Sequence, residues 1–179
     1  MRGWACSLAY SIHVGKGTMS VLRGGEATKR RAANVRPHVL IVTDDADLRD
    51  FLQEGLLFGG FWVSIIASGV QALEVFRLRT FDLVLIDSAL AGFDAVELIR
   101  RLRLPDGTDL GPRTDVPIVA IADDAAGART SLEAGADEAL VPPIEIEELV
   151  PELHRIVHQW RSRHPDRPWA DQLAQLRPD

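Results

Sequence analysis

The sequence predicts an α/β protein in which one doubly wound sheet of five parallel strands is covered on both faces by five helices, a (βα)5 arrangement. Short apolar runs of the kind that form buried strands recur between residues 38 and 141. Segments with apolar residues at helical spacing alternate with these runs, and the alternation favours a parallel sheet with right-handed crossovers. A hydrophobic content of 46% in 179 residues is enough for the core of one such domain.

The first half of the pattern supplies three strands and two helices. Residues 38–43 (HVLIVT) are a continuous apolar run, which predicts a first buried strand. Residues 47–58 have apolar residues at helical spacing and stop at a pair of glycines, as helices commonly do. The same reasoning predicts a strand at 61–67, a helix at 70–78 and a strand at 81–87.

The second half continues the alternation around a long loop. Residues 105–115 are rich in Pro, Gly and Asp, which predicts irregular backbone. The periodic elements on either side of this loop are a helix at 93–104, a strand at 116–121, a helix at 124–134, a strand at 138–141 and a helix at 145–161.

Charge separates an arm from the domain. Residues 1–37 contain seven basic residues against one acid, whereas the whole chain has a net charge of −6. A basic arm can bind nucleic acid, but this composition fits a disordered leader better, and we expect no nucleic-acid contact. In a polar tail, Trp169, Leu173 and Leu176 have helical spacing, so a short amphipathic helix and a frayed end both stay open. The predicted segments are a leader at 1–37, a domain at 38–160 and a tail at 161–179.

Composition predicts neither a membrane span nor an oxidising compartment. Cys6 is the single cysteine of the sequence, so it has no partner for an intramolecular disulfide. The start of the chain lacks the continuous apolar stretch of a secretory signal. Residues 55–73 are uncharged, but glycines, serines and a glutamine interrupt them, which favours buried soluble elements. We therefore expect a cytoplasmic protein.

Carboxylates follow several of the predicted strands, at the edge of a parallel sheet where ligands bind. Asp44 follows the first strand, Asp87 ends the third, and Asp123 and Asp124 follow the fourth. Carboxylates that converge without partners raise one another's pKa, so Mg²⁺ is a natural partner. A carboxylate beside Mg²⁺ can also attack a phosphoryl group. The alternative is that these acids are helix N-caps and solvated loop acids, which we expect of Asp47 and Asp124.

Four segments together resemble the receiver domain of bacterial response regulators in two-component signalling. They are residues 42–49 (VTDDADLR), 82–100 (DLVLIDSALAGFDAVELIR), 117–122 (PIVAIA) and 133–143 (EAGADEALVPP). Each segment alone is modest evidence, whereas their order and spacing together are specific. The resemblance implies a flavodoxin-like fold, a phosphoryl acceptor at Asp87, and a Mg²⁺ site made by Asp44, Asp87 and the backbone carbonyl of Ala89.

Several positions depart from the resembled pattern. The first of two adjacent acids after the first strand falls on Thr43, so Mg²⁺ is expected to bind weakly. The family's switch hydroxyl falls on Ala122, its switch aromatic on Ala139 and its lysine on Pro142. The missing charge-assisted hydrogen bonds are worth about 1.5–3 kcal/mol each. We therefore expect slow phosphorylation of Asp87 and a weak conformational output.

Two functions remain open. The first is a phosphorelay receiver that takes a phosphoryl group from a histidine kinase or phosphotransfer protein. Few residues follow Trp160, too few for a DNA-binding domain, so we expect the output to pass through a downstream protein. The surface for that protein would be the fourth helix, fifth strand and fifth helix. The alternative is a degenerate receiver that works as a phosphorylation-independent interaction module. Retention of Asp44 and Asp87 favours the first, whereas the changes at the switch hydroxyl, aromatic and lysine positions favour the second. A homodimer is compatible with both.

An enzyme is not expected. The sequence has no Gly-rich phosphate loop, no catalytic Cys–His pair and no Ser–His–Asp set. One backbone feature is also predicted, because the resembled family commonly has a cis peptide bond at the position of Pro142 and Pro143. An X–Pro bond gives up only about 0.5–1 kcal/mol to be cis. We therefore expect this bond to be cis, and Pro142 to close off the acidic edge of the sheet.

Overall fold

Residues 36–104 and 115–170 are described by a computed structural model. The predicted alternation is confirmed, and every predicted element is found with bounds that differ by at most two residues. The strands are β1 (His38–Val42), β2 (Trp62–Ile66), β3 (Leu83–Asp87), β4 (Ile118–Ile121) and β5 (Glu138–Leu140). The helices are α1 (Ala46–Phe58), α2 (Gly69–Leu78), α3 (Ala95–Arg103), α4 (Ala125–Ala134) and α5 (Ile146–Arg163).

The five strands form one parallel sheet in the order β2-β1-β3-β4-β5. This is the flavodoxin-like doubly wound topology that the sequence predicts. The strand order reverses between β1 and β3, so the carboxyl ends of these two strands border the crevice where such sheets bind ligands. The register pairs Val42 with Ile86 at the ends of the two strands, which brings the residues that follow each strand side by side.

Alternate residues of the central strands pack into two separate cores. Leu40 and Val42 of β1 face one core, which α2 and α3 cover, and Val39 and Ile41 face the other, which α1 and α5 cover. All four side chains are almost fully buried. The period of two along a strand therefore gives each face of the sheet its own apolar layer.

Carboxylates begin three of the helices. Asp45 accepts from the backbone N–H of Leu48 at 2.9 Å and caps α1, and Asp94 caps α3. Asp124 caps α4, as expected, through the N–H of Gly127 at 2.7 Å. Of the two roles expected for Asp47, the cap is not found, because α1 begins at Ala46, and Asp47 is instead a solvent-exposed acid in the first turn. An acid there is still favourable, since it faces the positive end of the helix dipole.

The last helix extends beyond the predicted end of the domain at residue 160, and the chain then turns back onto the sheet. The guanidinium of Arg161 lies 3.6 Å from the ring centre of Trp169. Trp169 also packs against the core beneath α1 and α5, so this tail residue belongs to the folded domain. The other two residues of the predicted tail helix, Leu173 and Leu176, lie outside the described residues.

Three other sequence-based predictions also fall outside the described part of the chain: most of the leader at 1–37, Cys6, and nearly all of the loop at 105–115. Within the part that is described, no helix is both long enough and apolar enough to cross a bilayer.

Candidate functional site

Asp87, at the carboxyl end of β3, is the buried acid of the crevice. The residue is only 6% exposed, and two donors of the protein hold its two carboxylate oxygens. The Thr43 hydroxyl donates to Oδ2 at 2.7 Å, and the backbone N–H of Ala89 donates to Oδ1 at 3.0 Å. The carboxylate is therefore fixed in orientation although no cationic side chain contacts it among the residues described.

Thr43 connects this acid to the start of α1. Its hydroxyl oxygen accepts from the backbone N–H of Asp45 at 3.2 Å while its proton is donated to Asp87. Its own backbone N–H donates to Ile66 of β2 at 3.1 Å, so the residue is anchored on both sides. The sequence indicated only that Thr43 replaces an acid. Its role as a hydrogen-bond donor to Asp87 arises only because β1 and β3 are paired side by side in the sheet.

Asp44 lies at the same edge but is exposed to solvent. Its Oδ2 accepts from the backbone N–H of Ala91 at 3.0 Å. The carboxylates of Asp44 and Asp87 are thus both held by the loop that follows β3, through Ala91 and Ala89 respectively. Asp45 does not replace the missing acid, because its side chain is used as the cap of α1. Ala91 acts through its backbone, which no side-chain motif could reveal.

On the β4 side of Asp87, Ala122 has no hydroxyl to donate, as the sequence predicts. Ala122 is 1% exposed, and its backbone N–H donates to Leu140 of β5 at 2.8 Å. Asp123 is exposed, and the side chain of Asp124 is used in capping α4. Within the described residues, the donors to the Asp87 side chain are therefore Thr43 and Ala89, from the β1 side and from its own loop.

Residues 39–154 match the response regulator receiver domain family. The chain belongs to this family. Members of the family are the phosphoryl-accepting receivers of two-component signalling and interact with histidine kinases or phosphotransfer proteins, so the predicted class of function is confirmed.

Curated relatives support the assignment over the same region. The receiver is 32% identical over 129 residues to the uncharacterized transcriptional regulatory protein YkoG of Bacillus subtilis, covering 72% of this chain and 54% of that protein. It is 31% identical over 138 residues to the response regulator MprA of Mycobacterium ulcerans, covering 76% and 56%. The chain thus spans about half the length of the curated relatives it matches.

Solved structures share the architecture. A CheY-like receiver domain protein of Methanospirillum hungatei superposes with a TM-score of 0.63 at 22% identity, over 72% of this chain and 99% of that one, which shows the common fold. The receiver domain of sensor histidine kinase PA1611 of Pseudomonas aeruginosa has a TM-score of 0.61 at 25% identity, over 69% and 99%. That structure has a magnesium ion coordinated in its active-site cleft.

The turn after β5 in this receiver has the predicted backbone conformation. The peptide bond between Pro142 and Pro143 is cis, which confirms that expectation. Pro142 is exposed, and its closing of the acidic edge stays a prediction. Ala139, at the position of the switch aromatic, is half-buried and packs against the core beneath α2 and α3. Because its side chain is a methyl group, this position has no aromatic ring that could move between two orientations.

The residues at the crevice suit a divalent cation only in part. Across 36–104 and 115–170, no three His, Cys, Asp or Glu side chains are grouped so as to hold a metal. Two carboxylates of the predicted set, Asp44 and Asp87, remain anchored on one loop, and carboxylate and carbonyl oxygens are the ligands that Mg²⁺ prefers. The set therefore fits Mg²⁺ with fewer charges than two adjacent acids plus Asp87 would supply.

Proposed function

We propose that this receiver accepts a phosphoryl group on Asp87 from a histidine kinase or phosphotransfer protein and passes the signal to a downstream protein. The observation that carries the proposal is the setting of Asp87, a buried carboxylate at the strand-order switch whose two oxygens each accept one hydrogen bond. A carboxylate oxygen has two lone-pair directions, so each oxygen keeps one for the incoming phosphorus.

In the transfer, one oxygen of Asp87 forms a bond to phosphorus. The bond between phosphorus and the donor's imidazole nitrogen breaks, and its electron pair leaves with the imidazole. The fixed donors from Thr43 and Ala89 hold the nucleophile in place, so little reorganisation accompanies the step. The acyl phosphate adds about −1.5 to −2 charges. Because no lysine follows Lys29 in the sequence, the domain has no ammonium group to offset this charge.

Asp44, Asp87 and the backbone carbonyl of Ala89 are the residues that would hold Mg²⁺. When bound, the cation neutralises part of the negative charge that develops on the phosphoryl group. Weak binding is expected because Thr43 contributes a neutral hydroxyl that is already donated to Asp87.

The surface that we propose for the downstream protein is formed by α4, β5 and α5. A groove in the β5 and α5 part of this surface combines apolar and acidic side chains, among them Val141, which is 39% exposed, with Glu145 and Glu148. A complementary partner surface would carry basic side chains around an apolar centre.

Phosphorylation of the purified chain by acetyl phosphate with Mg²⁺ tests the proposal. We expect a single retarded species on a Phos-tag gel, absent in Asp87→Asn. Asp123→Asn is the matched control, since Asp123 is an exposed acid near the same edge and makes no hydrogen bond to Asp87 within the described residues. A retarded species that persists in Asp87→Asn, or the absence of such a species in the unmodified chain, would overturn the assignment of Asp87.

A further inference from the structure

We propose that Thr43 is a positioning residue whose hydroxyl follows the phosphoryl group on Asp87 and carries the response to phosphorylation into α1. The proposal rests on the proposed phosphorylation of Asp87 and names the route by which that event changes the fold.

The contact between Thr43 and Asp87 is short and shielded from water. The hydroxyl donates to Oδ2 at 2.7 Å, and the two residues are 1% and 6% exposed. A buried hydroxyl donor that loses its acceptor leaves polar atoms unpaired, which is costly. The Thr43 hydroxyl must therefore keep an acceptor in every state of the site.

Phosphorylation weakens the acceptor that Thr43 now uses. If Oδ2 is the attacking oxygen, it becomes the bridging oxygen of the acyl phosphate. If Oδ1 attacks, Oδ2 becomes a neutral carbonyl oxygen. In both cases the negative charge moves from the carboxylate to the phosphoryl oxygens, which are the stronger acceptors. The Thr43 hydroxyl then turns towards the phosphoryl group.

That movement is linked to α1 by the second hydrogen bond of the same oxygen. The backbone N–H of Asp45 donates to Thr43 Oγ1 at 3.2 Å, and the side chain of Asp45 accepts from Leu48 in the first turn of α1. A change in the direction of Oγ1 therefore either moves the cap of α1 or breaks the bond that holds it.

The opposite side of Asp87 has no corresponding link among the residues that the structure describes. Ala122 has a methyl group in place of a donor, and its backbone N–H is used by Leu140. The side chain of Asp124 accepts from the backbone N–H of Gly127 in the first turn of α4. Among residues 36–104 and 115–170, no chain of side-chain hydrogen bonds leads from Asp87 to α4, while two consecutive hydrogen bonds lead from it to the start of α1.

The test is ¹⁵N NMR of the full chain with and without acetyl phosphate and Mg²⁺, with the phosphorylated fraction measured in parallel on a Phos-tag gel. The variants are Thr43→Val, which keeps the shape and removes the hydroxyl, and Thr43→Ser, which keeps the hydroxyl. Ala122→Ser places a hydroxyl on the β4 side as a matched comparison. Shifts are compared per phosphorylated molecule.

In the unmodified chain we expect the amides of residues 45–48 to shift about twofold more on phosphorylation than those of residues 124–127. In Thr43→Val the ratio should fall to about one, and Thr43→Ser should restore it. Ala122→Ser should raise the α4 shifts without lowering those of α1. If Thr43→Val fails to fold, the ratio in the unmodified chain and the effect of Ala122→Ser still test whether the response passes into α1.

Equal shifts in α1 and α4 of the unmodified chain, or α1 shifts that survive in Thr43→Val, would overturn the role of Thr43 while leaving Asp87 as the acceptor. Absence of the retarded gel species in the unmodified chain would instead remove the proposed function, and this inference with it.

Discussion

Arg161 of α5 pairs with Asp82 at the amino end of β3, with 3.4 Å between Nη1 and Oδ1, and the two side chains are 13% and 4% exposed. The same carboxylate accepts from the backbone N–H of His38 at 2.8 Å and from that of Ala170 at 3.2 Å. Asp82 therefore joins the start of β1, the last helix and the returning C-terminal segment, at the end of the sheet opposite Asp87.

Replacement of Asp82 by Ala should destabilise the domain by about 3 kcal/mol, because it leaves one buried and one partly buried backbone donor and a largely buried guanidinium without this acceptor. Urea denaturation followed by circular dichroism measures the loss. The control is Asp166→Ala, which removes an exposed acid of the same segment and should change the stability by less than about 0.5 kcal/mol. Equal effects of the two changes would contradict the role given to Asp82.

Restoring a third acid at the crevice should strengthen Mg²⁺ binding. Thr43→Asp adds a carboxylate beside Asp87, and we expect the Mg²⁺ dissociation constant to fall about tenfold, which corresponds to about 1.4 kcal/mol. The variant should also be less stable than the unmodified chain without metal, because two buried carboxylates repel. Isothermal titration calorimetry measures the affinity, and Thr43→Asn is the neutral control. An unchanged affinity in Thr43→Asp would argue against the site at Asp44 and Asp87.

Restoring an ammonium group beside the site should speed phosphorylation. Pro142→Lys supplies the cation at the position where the family carries lysine, and about 1.4 kcal/mol of added stabilisation of the phosphoryl charge would give about a tenfold faster reaction with acetyl phosphate. Pro142→Gln has similar reach without the charge and should give little of this gain. If the lysine variant changes neither the rate nor the NMR response, Pro142 lies too far from Asp87 to matter, and the interaction-module hypothesis gains support.

An exposed ion pair on α5 should make a small, pH-dependent contribution. The hydrogen bond from Arg155 lowers the pKa of Glu152 from its ordinary value of 4.5, more than partial burial raises it. A lowered folded-state pKa means that the stabilisation is present above the unfolded pKa and disappears as pH falls through the folded value. Glu152→Gln should therefore be slightly less stable than the unmodified chain at pH 7, and the difference should vanish in strong acid. A difference that grows as the pH falls would contradict this sign, and urea melts at several pH values measure it.

Local periodicity determined most of the fold. The apolar run before Asp87 and the helical spacing after it can be recognised from the local sequence alone. The spacing of apolar residues within a segment depends only on which face that segment buries. Asp44 and Asp87 could be assigned to one edge for a related reason, since parallel strands end on the same side of a sheet. The sequence does not show which acid caps α1, because several acids in one short segment can each begin a helix, and the choice of Asp45 over Asp47 depends on backbone hydrogen bonds.

Only the tertiary structure decided how the acids of the crevice are held. Thr43 donates to Asp87 across 44 residues of sequence because β1 lies beside β3 in register, and Asp44 is held by a backbone N–H that carries no side-chain signature. Ala170 reaches Asp82 across 88 residues for the same kind of reason. Hydrogen bonds between segments distant in sequence depend on strand order, register and loop path, and those are fixed by the packing of the whole chain rather than by any local pattern.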